Sequence, residues 1–111
     1  MTTRADLLAL ADRVEREEPS VELDGYIAVA INEAPGITGR LWRYTTSLDA
    51  AASLAKYNWT IALDHFGGEN VWRVSIYTIT GDLMTVTHAP TEPRARTAAA
   101  LRARAQEMKD E

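Results

Sequence analysis

Two histidines, His65 and His88, are the side chains in this chain best suited to proton transfer or metal ligation, with the carboxylates Asp64 and Glu69 nearby in sequence. Each stands at the end of a segment in which apolar and polar residues alternate. By parity both histidines continue the apolar series of their segments, which puts them at the same end and on the same face of a sheet. Were the strands neighbours, Asp64, His65, Glu69 and His88 would form an acid–base or metal-binding cluster. A meander instead separates the histidine-bearing strands by one intervening strand, ~9.6 Å at ordinary strand spacing, which is long for a shared ion. The expectation is therefore ordinary strand-end histidines, no bound metal and no cofactor, with a small enzyme built on this end of the sheet as the alternative.

Other chemical signals are weaker. Pro35-Gly36-Ile37-Thr38-Gly39-Arg40 has the G-x-x-G spacing of a loop that clamps a nucleic-acid backbone, but such a loop leads straight into a helix, and Leu41-Trp42-Arg43-Tyr44 does not read as one. Arg94, Arg96, Arg102, Arg104 and Lys109 make the last helix basic, yet on a helical wheel they spread over the polar arc, so a solvated face is expected. With a net charge of −4, nucleic acid is not the expected partner. Asn58-Trp59-Thr60 fits the glycosylation pattern without any sign of export, and no phosphate loop, nucleophile elbow or HExxH occurs. The absence of cysteine removes disulfides and thiolate chemistry and suits a reducing cytoplasm. The first residues lack the basic start and apolar run of a signal peptide, and no apolar run approaches a membrane span.

The charge is uneven. Residues 1–33 hold eight acidic and three basic side chains, whereas residues 34–111 hold eight and nine. Glu15, Glu17, Glu18, Glu22 and Asp24 bracket Pro19, so they are expected to project from the end of a helical hairpin and to form the candidate surface for a basic protein partner.

The elements that must carry these residues follow from periodicity. Thr3 with Asp6 caps a first helix whose Leu7, Leu10, Ala11 and Val14 share a stripe and which ends before Pro19. Ser20 caps a second, with Leu23, Ile27 and Ile31 on one side, broken by Pro35-Gly36. Residues 37–45 form a connector and a candidate fourth short strand. Thr46 or Ser47 caps a third helix from Leu48 to Lys56 that buries Leu48, Ala51, Ala52 and Ala55. The period then becomes twofold. Trp59, Ile61 and Leu63, then Trp72, Val74 and Ile76, then Met84 and Val86 are expected to face the helices, with Arg73, Ser75, Thr85 and Thr87 more exposed. Short connectors with Gly67-Gly68 and Thr80-Gly81-Asp82 make an antiparallel meander the simplest topology. Thr91 caps a last helix to about Lys109, with Ala98, Leu101, Ala105 and Met108 on its apolar line.

At 111 residues this is one domain of the α+β class: a three-stranded antiparallel meander with four helices, sandwich-like. Leu7 to Glu15, Glu22-Leu23-Asp24 with Ile27-Ala28, Tyr44-Thr45 with Ser47 to Ala51, and Ala98 to Ala105, in that order and spacing, resemble the phage ABA sandwich domain of small phage and prophage proteins. The resemblance implies helices on both faces of a small sheet and a phage or prophage origin, and it transfers no catalytic residue. The expected role is a cytoplasmic, non-catalytic binding or inhibitory accessory protein acting on a host or phage protein, for example against host defence. A minor structural role in the virion is a third reading.

Overall fold

The computed structural model describes residues 3–31, 43–68 and 70–108. Four helices, α1 (Arg4–Arg16), α2 (Val21–Ala30), α3 (Leu48–Ala52) and α4 (Glu92–Glu107), accompany three strands, β1 (Trp59–Phe66), β2 (Val71–Thr78) and β3 (Leu83–Ala89). The sheet is an antiparallel meander of order β1-β2-β3, so the fold is α+β as its periodicities require. Residues 43–46 form a turn; residues 32–42, with the whole of the G-x-x-G segment and Trp42, lie outside the described residues, as do Glu69 and Lys109.

Local chemistry starts the helices where expected. At α1, Thr3 Oγ1 accepts from Asp6 N while Asp6 Oδ2 accepts from Thr3 N, a reciprocal box that satisfies two donors at the helix start. Hydrogen bonding of the Asp6 carboxyl to Thr3, to its backbone N–H foremost and then to its side chain, holds that carboxyl below its ordinary pKa. Ser20 caps α2 and Ser47, not Thr46, caps α3. Thr91 precedes α4 but its side chain makes no capping bond; Pro93 in the first turn supplies the pre-set backbone angle instead.

The third helix is shorter than predicted and turned. Its end comes at Ala52, where Ser53 Oγ donates to Ala50 O and offers the backbone a competing partner. Ala50, Ala51 and Leu54 are buried, while Leu48, Ala52 and Ala55 are exposed.

Helix α4 is the centre of the molecule. It lies over β2 and β3, with α1 along one flank and α3 along the other, and α2 packs on α1. A helix enclosed on several sides cannot have a single apolar stripe. Accordingly Ala95, Ala98, Ala99, Ala100, Leu101, Ala103 and Ala105 are all buried, their small side chains letting neighbours approach from each direction. The expected solvated basic face is thereby overturned. Arg94 is only 6% exposed and donates through Nε to Val14 O and through Nη2 to Glu15 O, satisfying carbonyls that the end of α1 leaves open. Arg102 donates to Asp12, to both carboxylate oxygens of Glu15 and to Thr87 Oγ1, joining α1, α4 and β3. Its pKa is raised above the ordinary guanidinium value, chiefly by the Glu15 hydrogen bond, against the opposing effect of burial. Arg104 reaches Leu54 O on α3's side.

Strand β3 departs from simple alternation. Ile76 pairs with Thr85 and Tyr77 with Leu83, so Met84 is an extra residue, a β-bulge. Met84 still packs against the core, as predicted. Beyond it the phase is inverted: Thr87 and Ala89 face the helices and are buried, while Val86 and His88 point outward. Val86 and Thr87 thus exchange the positions expected of them. Ser75, also expected to be exposed, is buried at the middle of the central strand between its neighbours Ala62 and Val86. Leu63, expected inside, is exposed because β1 runs beside α4 rather than beneath it.

Candidate interaction surface

Strand parity and the bulge together define the face of the sheet turned away from the helices. Its cross-strand rows are Phe66–Val71, Asp64–Arg73–His88, Ala62–Ser75–Val86 and Thr60–Tyr77–Leu83. All the described helices gather on the opposite side, and the second layer that the resemblance implies has no counterpart among them. An antiparallel sheet with one solvated face ordinarily shows polar residues there. Here Leu83 is 56% exposed, Val86 42% and Phe66 40%. These apolar groups surround one polar centre. Arg73 donates through Nε and Nη2 to Asp64 Oδ2, at 3.2 and 2.8 Å, and its guanidinium carbon stands 5.1 Å from the centroid of the Phe66 ring. The carboxylate orients the arginine and the ring covers one side of it, which leaves a fixed planar cation among apolar groups. Such a surface can recognise a protein by contact area and by a directed polar anchor.

The histidine site does not assemble. His65 pairs with Trp72 on the helix side of the sheet and stacks on it, ring centroids 4.2 Å apart. His88 pairs with Arg73 on the outer side. The bulge at Met84 is the reason, because it shifts His88 to the face opposite His65. Asp64 is engaged by Arg73, and Glu69 lies outside the described residues. Among the described residues no group of three or more His, Asp or Glu side chains is placed to hold a metal ion.

The acidic residues around Pro19 have separate fates. Asp24 is fully buried, its Oδ1 accepting from Thr45 N at 2.9 Å and Thr45 Oγ1 at 2.8 Å. Arg43 Nε stands 3.4 Å from Oδ2, an ion-pair distance without a directed hydrogen bond. Asp24 therefore ties the 43–46 turn to α2, and Thr97 Oγ1 holds the same turn to α4 through Tyr44 O. Glu15 is engaged by Arg102. Glu17 forms a two-point pair with Arg13, which lowers its pKa, the hydrogen bond contributing most. Glu22 accepts from Tyr26 at 3.4 Å. What reaches solvent is Glu17, Glu18 and Glu22 rather than a cluster of five. A groove of about 290 Å³ between α1 and α2, lined by Ala9, Leu10, Arg13, Tyr26, Val29 and Ala30, opens nearby.

Sequence periodicity missed the outer face because a bulge has no periodic signature. The adjacent apolar pair Leu83-Met84, at the point where strict alternation should begin, was the available trace of it.

No protein-family model, no curated protein and no solved structure matches this chain. No described helix is long and apolar enough to cross a membrane.

Proposed function

We propose that this chain is a small, non-catalytic binding or inhibitory accessory protein of phage or prophage origin, acting in the bacterial cytoplasm on a host or phage protein, and that it works through the open face of its sheet. The observation that carries the binding role is the exposure of Leu83, Val86 and Phe66 around the Arg73–Asp64 pair on a face that no described helix covers. The origin rests on the resemblance of the helical segments to the phage ABA sandwich domain. The sheet face is preferred to the acidic turn because Glu15 and Asp24 are engaged within the fold, whereas Leu83 and Val86 contribute little to the core.

Affinity capture from a bacterial host lysate, with mass spectrometry, tests the reading with two paired variants. A specific partner should be retained by Glu17→Lys/Glu18→Lys and lost by Leu83→Lys/Val86→Lys, with both variants keeping native circular dichroism. Loss of the partner with the glutamate pair and retention with the sheet pair would move the interface to the acidic turn.

A further inference from the structure

The two edges of the sheet are built differently. On β3 the edge is interrupted by the Met84 bulge and flanked by α1, with Arg102 drawing Thr87 toward the helices. Bulges and covering elements are the means by which proteins keep an edge from pairing. Among the described residues strand β1 has neither. Its eight residues pair with β2 without interruption, from Trp59–Thr78 to Phe66–Val71. It contains no proline and no lysine or arginine, and its one charge, Asp64, is neutralised across the strand by Arg73. Among the described residues no strand pairs with its other side. Exposed apolar side chains accompany it: Leu63 and Phe66 within the strand, fully exposed Tyr57 just before it, and Ile79 beyond the Thr78 that pairs with Trp59.

We infer that the β1 edge is a self-association surface on which a second copy of this chain pairs antiparallel, joining two meanders into a six-stranded sheet. An edge of unpaired backbone groups is matched in chemistry by another extended strand, and the charge distribution selects a second copy. The acidic α1 and α2 lie toward β3, so pairing through β1 keeps the two acidic halves apart and brings together near-neutral surfaces. A register centred on Leu63 sets Leu63 against Leu63 of the second copy, Ile61 against His65, Ala62 against Asp64 and Thr60 against Phe66, and never opposes one Asp64 to the other. The inference stands apart from the proposed function, although pairing would double the width of the outer face.

Sedimentation equilibrium of the full chain should show a monomer–dimer equilibrium. Leu63→Lys sets like charges opposite each other across the two-fold and should weaken the dimer about tenfold or more. The absence of native cysteine permits a clean positional test. Leu63→Cys should cross-link through a short bismaleimide in a concentration-dependent way, whereas Val86→Cys on the outer face should not. A chain that stays monomeric up to about 1 mM would overturn the inference, and so would a dimer that cross-links through Val86→Cys and not through Leu63→Cys.

Discussion

Val86 and Thr87 are neighbours on one strand, yet the apolar residue faces outward and the polar one is fully buried. The helix side tolerates Thr87 because Arg102 reaches its Oγ1 at 3.0 Å, so the buried hydroxyl has a partner. The outer side carries Val86 because nothing described packs there to reward its burial. A hydropathy pattern therefore misleads where a bulge shifts the phase and a long cation from a neighbouring helix supplies the missing hydrogen bond. The helix side holds the buried core, whereas no described helix packs on the outer side.

Substitutions should separate the two sides, and the largest effect belongs to the core. Leu101→Ala, at a fully buried position of α4, should cost about 3 kcal/mol in urea unfolding. A loss comparable to that of Leu83→Ala would erase the distinction between the sides. Arg102→Ala removes the donor shared by Asp12, Glu15 and Thr87 and should cost about 2 kcal/mol. Adding Thr87→Val should recover part of that loss, since the stranded hydroxyl goes with it; no recovery would mean that Thr87 is not the group left wanting. Ser20→Ala, which deletes the cap of α2, should cost about 1 kcal/mol. Leu83→Lys and Val86→Lys should each change stability by less than about 0.5 kcal/mol, and a larger loss would place the outer face in the stabilising part of the fold.

A pH series provides a smaller and more selective probe. The carboxyls of Asp6 and Glu17 have pKa values lowered by folding, so their contribution is present above their unfolded pKa values and lost as pH falls through the lower folded ones. Stability should decline on the acid side of the ordinary carboxylate range. Asp6→Asn should make that limb shallower, and an unaltered limb would remove Asp6 from the account.

Much of the architecture was legible beforehand because its causes are local. Thr3 with Asp6, Ser20 and Ser47 mark helix starts through hydrogen bonds spanning three residues. The twofold alternation of Trp59 to Leu63 and of Trp72 to Ile76 announces strands, and short turns such as the one at Gly81, with its φ of 95°, make them hairpins. The candidate site was less legible. Parity puts His65 and His88 on one face, which one extra residue suffices to reverse. In sequence Glu15 and Asp24 look like surface charges, because nothing adjacent discloses that Arg102 and Thr45 lie against them, 87 and 21 residues away.

Amino-acid order by itself determined the class, the element order and the antiparallel meander, since helix caps, turn residues and side-chain period act over a few positions. Tertiary structure decided which charges are structural and which face is open. Burying the alanine-rich α4 on several sides carries its arginines inward, where they need carbonyl and carboxylate partners from α1, and the gathering of the described helices on one side leaves the other side of the sheet with its apolar residues exposed. Both outcomes depend on contacts between distant segments, to which local periodicity is blind.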